Sequence, residues 1–231
     1  MGYSQDRARC LWQMYEKLDD HFGNLEWWPA DSAFEVIVGA ILTQNTAWRN
    51  VTYSIDKLKD AGLLDPKRLY HAPIDTLEIL MRSSGYYRVK ARRIAAFVKF
   101  LKEEYDGWLD RLFAEDHWQL RKKLLLIHGI GEETADCILL YAGGKPVFVV
   151  DAYTIRILLR HSFINDKATY ADIQKLFMDN LPESTPLYNQ SVSCSFGKYG
   201  KILLYESAAL RSMPTLQPGT RLIRVAMLVF L

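Results

Sequence analysis

The chain predicts an all-α protein. Strand signals are almost absent, and apolar residues recur at helical spacing in one segment after another. At 231 residues and 49% hydrophobic content, the chain can bury one large core or the cores of two small lobes. The most informative stretch is Leu124 to Arg160, LLLIHGIGEETADCILLYAGGKPVFVVDAYTIRILLR. It predicts helix, tight glycine turn, helix, short extended run, then a helix opened by an aspartate.

In chain order, Ser4 to His21 predicts a first helix, with Leu11, Met14, Tyr15 and Leu18 as its apolar stripe. Leu25 to Pro29 is a loop dense in aromatics. It is either a structural corner or an aromatic wall for a base taken out of a duplex. Asp31 or Ser32 caps a second helix in which Phe34, Ile37, Val38 and Ile41 are buried. That helix runs into the polar segment Leu42-Thr43-Gln44-Asn45-Thr46-Ala47-Trp48, and a further helix begins over Val51 to Leu58. Leu69 to Met81 predicts one helix, Ser83 to Tyr87 a turn, and Val89 to Leu101 a basic amphipathic helix. From Arg82 to Lys102 there are seven positive charges and no negative one before Glu103. Such a run is a solvated face or, next to Gly85, Tyr86 and Tyr87, a contact for a nucleic-acid backbone. Arg121-Lys122-Lys123 is a second basic patch.

The hairpin follows. Trp118 to Ile127 predicts a helix, and Gly129 and Gly131 sit where it must stop and where backbone with positive φ is expected. Glu132 and Glu133 suit the first turn of the next helix. Ala135, Ile138, Leu139 and Ala142 form its buried stripe, and Gly143, Gly144 and Pro146 end it. The glycine turn alone is a helix C-cap or a set of backbone amides able to hold a phosphate. Val147 to Val150 is a short extended connection. Asp151 then stands at the N-cap of AYTIRILLR, where amide donors favour its ionised form. Lys167 to Leu181 predicts another helix, with Ile173, Leu176 and Phe177 inward.

The global charge excludes little. The balance is +2, and without residues 191–231 it is 24 basic against 26 acidic residues. Any nucleic-acid footprint is therefore a local patch. Cys10, Cys137 and Cys194 are odd in number and widely spaced, which fits a reducing compartment rather than a disulfide framework. Met1 to Asp20 is polar and charged, unlike a signal peptide, and the apolar runs fall short of a membrane span. The expected setting is cytoplasmic and nucleoid-associated.

The hairpin from His128 to Ala135, the Gly-Lys-Pro connection and Val150-Asp151 resemble the helix-hairpin-helix and Gly/Pro–Asp motif of the endonuclease III superfamily of DNA glycosylases. The resemblance extends over residues 27 to 190 or so. It implies two helical lobes with a DNA cleft between them. One lobe would be residues 31–146, with the hairpin at 118–142, and the other residues 1–30 plus 147–190. It also implies damaged double-stranded DNA as the partner of a monomer. The aspartate at position 151 matches the family's catalytic carboxylate. Bifunctional relatives carry a lysine where this chain has Glu133; a glutamate forms no imine, so the chain resembles a monofunctional glycosylase with water as nucleophile.

LTQNT resembles the segment whose glutamine fills the gap left by a flipped base, which gives Gln44, with Asn45 beside it, a DNA-facing role. The Gly-aromatic-x-x-x-Lys-Ala pattern does the same for Tyr86, Arg88 and Lys90, and the hairpin for His128, Gly129, Gly131 and Thr134. Trp27, Trp28 and Pro29 as one wall and Trp48 as another resemble the 3-methyladenine glycosylase branch. A cationic methylated purine gains from aromatic faces.

Many relatives carry a cysteine cluster for an iron–sulfur centre near the C-terminus; three cysteines cannot supply four ligands, so no cofactor is expected. After Gln190 the chain departs from the family, and residues 191–231 are an atypical tail expected to pack poorly, with a reading-frame change as one explanation. The alternatives are an endonuclease III-type glycosylase and AP lyase for other bases, a DNA-binding remnant without catalysis, and an unrelated helical protein.

Overall fold

A computed structural model describes residues 8–13, 16 and 28–184. The expectations for Trp27 and for the tail lie outside the described residues. The fold is all-α and two-lobed, and no strand occurs among the described residues. The chain divides into two compact units, residues 28–145 and residues 1–27 with 146–231. In the latter, helix α1 includes residues 8–13, where Leu11 is buried.

The unit spanning 28–145 is built around α2, Ala33–Leu42. Nine of its ten residues are buried, as a helix apolar all round requires. Ser32 Oγ accepts from Glu35 N–H, and the Glu35 carboxylate accepts from Asp31 N–H, so each end of the cap satisfies the other. Lys59, from α3 (Trp48–Asp60), closes the cap with bonds of 2.7 Å to both Asp31 and Glu35. Val51, Ile55 and Leu58 are the buried side of α3.

The single helix expected over 69–81 is two. Asp65 caps α4, Pro66–His71, and α5 is Ile74–Leu80. Pro73 divides them: it has no N–H to continue the ladder, and it drives Ala72 to extended backbone at ψ 134°. A 3₁₀ turn, Arg82–Ser84, leads to Gly85 at φ +64°. Helix α6, Tyr87–Tyr105, starts two residues before the expected helix and ends four after it. Ala91, Ile94, Phe97, Val98 and Leu101 line its buried side. Each large apolar side chain so buried contributes roughly 1.5–3 kcal/mol. This helix packs against α2, α4, α5 and the short α7, Leu109–Phe113, which the periodicity did not announce.

Helix α8, His117–Leu125, is capped by Asp116, which accepts from Trp118 N–H and Gln119 N–H. After the glycine turn, α9 is Glu132–Cys137 and continues as a π-helical turn, Ile138–Ala142.

In the other unit, Val147 to Val150 is extended and fully buried. Asp151 opens α10, Ala152–Arg160. Helix α11, Tyr170–Met178, starts three residues after the expected Lys167 because Thr169 and Asp172 form a capping box. The two helices' surroundings hold the extended run. Phe148 stacks on Phe177 at 4.0 Å between centroids, Gln174 Nε2 donates to Phe148 O at 2.7 Å, and Val150 N donates to Tyr170 Oη at 3.3 Å. The residues just before Asp151 are thus fixed by both apolar packing and hydrogen bonds.

Candidate active site and DNA-facing loops

Asp151 is the N-cap of α10, with extended backbone at φ −100°. Its Oδ1 accepts from Thr154 N–H at 2.7 Å and from Thr154 Oγ1 at 2.6 Å, and Thr154 is itself fully buried. These bonds favour the carboxylate, yet burial outweighs them and holds its pKa above the usual aspartate value. The net direction is opposite to that expected from the helix-start donors alone. An aimed, partly desolvated carboxylate of this kind can stabilise a developing cation and take a proton from water.

The hairpin is pinned from below by a buried ion pair. Arg121 Nε lies 2.6 Å from Asp136 Oδ1 and Nη2 lies 3.0 Å from Oδ2, with Asp136 wholly buried; Glu132 is 3.5 Å from the same guanidinium. Lys123 binds Glu115 at 2.5 Å and Tyr105 Oη at 3.1 Å. Of the basic patch expected at 121–123, Arg121 and Lys123 are thus engaged in ion pairs within the protein, and Lys122 is exposed. Gly129 has φ +87°, as the turn demands, whereas Gly131 sits at φ −93° with open space where a Cβ would lie. Only the first glycine needs left-handed backbone. His128 and Glu133 are exposed on this turn, and Glu133 stands in the first turn of α9.

Gln44 does not point away from the protein. Its Nε2 donates to Gly129 O at 3.0 Å and Thr134 Oγ1 at 2.9 Å, and its Oε1 accepts from Arg93 Nη1. Thr134, expected to face DNA, turns its side chain inward to this amide and is buried. Asn45 follows with φ +54°, rare for a non-glycine residue.

Lys90, also expected to face DNA, is buried. It is 1% exposed, and its Nζ donates to Leu42 O at 2.8 Å and Ser84 O at 2.6 Å. The helix face it occupies points into the core, among Ala91, Ile94 and Phe97. Burial and the neighbouring Arg93 charge lower its pKa to about 8. Tyr86, by contrast, is 70% exposed and adopts left-handed backbone at φ +46° before α6. Arg88 is exposed and 3.4 Å from Glu78.

Of the expected base pocket, Trp28 and Trp48 meet edge to face at 5.3 Å between centroids. Pro29 is exposed beside them. The sequence reading missed Tyr141, whose ring lies 5.2 Å from that of Trp28 at 33°. The π turn carries it there, and no motif marks that turn. Trp28 also lies against Gly39, where a Cβ would come within 3.3 Å of the indole.

The chain's thiols are one short of the four that a cysteine-held iron–sulfur cluster takes. Among the described residues no three His, Cys, Asp or Glu side chains gather, and the chain has only Cys10, Cys137 and Cys194. No described helix is long and apolar enough to cross a membrane.

Comparison with known proteins places this geometry in a family. Residues 38–183 match the model of the HhH-GPD superfamily base excision DNA repair proteins. A Methanocaldococcus jannaschii protein that its name assigns to the DNA repair glycosylases is 41% identical over 187 residues, 80% of this chain and 85% of that protein. Endonuclease III of Sulfolobus acidocaldarius is 31% identical over 147 residues, covering 63% of this chain and 64% of the relative. Among solved structures, the H. pylori 3-methyladenine DNA glycosylase MagIII, bound to 1,N6-ethenoadenine, matches with a TM-score of 0.67 and 26% identity over 91% of this chain and 99% of that one. The fold also matches an endonuclease III trapped as a covalent intermediate with DNA, at a TM-score of 0.72. With its two helical lobes, its hairpin at Gly129 to Gly131 and Asp151 opening the helix beyond, the chain belongs to the HhH-GPD superfamily of base excision DNA repair proteins, among the DNA N-glycosylases.

Proposed function

We propose that this glycosylase releases an alkylated purine from duplex DNA by hydrolysis, with Asp151 as the catalytic carboxylate. The observation that carries the reading is the state of Asp151: a carboxylate aimed by two bonds from Thr154 and partly removed from water. Cleavage of an N-glycosidic bond develops an oxocarbenium-like charge on the sugar, and an ionised carboxylate stabilises it. Water attacks C1′, the C1′–N bond breaks with its electron pair leaving on the base, and the water proton passes to Asp151 and then to solvent. The product is an abasic site. A 3-methylated purine is cationic in the nucleotide and leaves neutral, so modest assistance suffices.

The choice of lesion rests on Trp28, Trp48 and Tyr141, whose faces suit a cationic ring, and on similarity to the H. pylori enzyme. In this reading Pro29 borders the pocket. Asn45 and the second lone pair of Gln44 Oε1, whose amide is otherwise held inward, face the orphaned partner base, Tyr86 and Arg88 contact the duplex, and the turn from His128 to Gly131 offers its backbone to a phosphate. Glu133 supports a monofunctional reaction because it offers no amine for a Schiff base. The protein acts as a monomer at the nucleoid.

The test is release of free base from alkylated duplex DNA. The parent frees 3-methyladenine and Asp151→Asn does not; failure of the parent to release any methylated purine ends the reading. Borohydride traps no covalent adduct on an abasic-site duplex. A trapped adduct would favour a glycosylase and lyase of the endonuclease III kind instead.

A further inference from the structure

The inward face of α6 carries two cations that the reaction above does not use. The Lys90 ammonium is bonded to Leu42 O and Ser84 O. Leu42 ends α2, two residues before Gln44; Ser84 ends the 3₁₀ turn, two residues before Tyr86. One buried charge thus ties together the two backbones from which Gln44 and Tyr86 project. The residues adjoining these ties, Asn45 and Tyr86, are both in left-handed backbone. Non-glycine residues hold that conformation only where their surroundings over-determine it.

Arg93 lies one turn further along the same helix. It donates to Gln44 Oε1, and its side chain covers Gly129 so closely that no Cβ could be added there. Both polar atoms of the Gln44 amide are therefore engaged, one by α6 and the other by the hairpin. A leucine could fill the place of Lys90 without an ion's desolvation cost, but it could not hold two carbonyls. The arrangement sets distances between loops rather than adding apolar burial.

We propose that Lys90 and Arg93 are positioning residues that fix the spacing and aim of Gln44 and Tyr86 relative to the hairpin, so that both loops engage the duplex as one unit. This rests on the DNA-facing reading of Gln44 and Tyr86 given above. It requires no knowledge of the lesion, so the probe is a duplex with a tetrahydrofuran abasic-site analogue opposite 2-aminopurine. Anisotropy gives binding, and 2-aminopurine fluorescence at saturation gives the state of the orphaned base.

The parent changes the fluorescence on binding. In Lys90→Met and Arg93→Met the saturating change falls at least fivefold while binding remains measurable. A merely structural role alters the fraction of competent protein or the apparent Kd, and leaves the saturating amplitude at the parental value; that result overturns the proposal. Arg93 is half-buried, so Arg93→Met decides the matter alone if Lys90→Met does not give a cooperative melt. Gln44→Ala separates the two readings. If it abolishes the signal while the α6 variants keep it, Gln44 contacts the orphaned base but is not aimed from α6. If Gln44→Ala keeps the signal too, the contact reading fails and the proposal with it.

Discussion

At Asp151 two demands meet on one carboxylate. The bonds from Thr154 favour its charge, and burial opposes it and prevails. Because the folded pKa lies above the ordinary aspartate value of 3.8, the folded state holds the proton more tightly between that value and its own pKa. Stability therefore falls as pH rises through this window. The rate follows the opposite course, since the ionised form is the active one. The acid limb of kcat/KM, which reports the free enzyme, lies above pH 3.8. Asp151→Asn lowers base release by about 10²–10⁴-fold. An asparagine caps a helix as well as an aspartate does, so the melting temperature at neutral pH stays level or rises. A parallel loss of activity and stability would mean that Asp151 is only a cap. Lys90 gives a second titration of reversed sign. Its pKa is about 8 in the folded protein against the ordinary lysine value of 10.5, so the unfolded chain binds more protons between these values. Stability gains a contribution as pH rises from 8 to 10.5. Denaturant midpoints over that range should lose this component in Lys90→Met.

At the scale of the element, the hairpin depends on a charge pair that its glycine motif does not reveal. Arg121 on α8 and Asp136 on α9 make two parallel bonds, and Asp136 is wholly buried. Removing one partner takes the main counter-charge from the other. Arg121→Met alone should cost about 3–5 kcal/mol in urea unfolding, and adding Asp136→Leu should recover much of that loss. A cost below about 1 kcal/mol would place the pair in the class of surface bridges. Sequence legibility divides along the same line. Caps and stripes are local, so α2, the hairpin and the cap of α10 could be read directly from Ser32, Gly129 and Asp151. Helix α7 has only five residues, LDRLF, too few to show a period. Pro73 marks the break in the sequence, but the apolar pattern runs on across it from α4 to α5. The π turn depends on tertiary packing: a Cβ on Gly143 would meet Phe113 at 2.6 Å and Leu139 O at 2.9 Å, so the helix end and Tyr141 are set by a neighbour 30 residues away.

Across the whole molecule, charge shows how much of a site sequence leaves open. The basic run gives the sign of a nucleic-acid footprint but not which of its cations reach solvent, because that depends on contacts such as the one between Lys90 and Leu42, 48 residues apart. Of the seven cations from Arg82 to Lys102, Lys90 is in the core and Arg93 is spent on Gln44. Lys99 and Lys102 pair with Glu103 and Asp106 at 3.7 and 3.5 Å. Arg82, Arg88 and Arg92 are exposed as well, Arg88 at 3.4 Å from Glu78, so five of the seven reach solvent. With a net charge of only +2, no long-range field makes up the difference. Each neutralised phosphate contributes about 0.9 to the slope of log K against log salt. Contacts from these five therefore give a slope of about −4.5, whereas seven would give about −6. Arg88→Ala should lower the magnitude by about 1 and weaken binding equally on damaged and undamaged duplexes. Lys90→Met should leave the slope unchanged, since a buried ammonium releases no counterion. A slope near −6, or one that falls on replacing Lys90, would show that the face of α6 turned inward here is turned outward when DNA is bound.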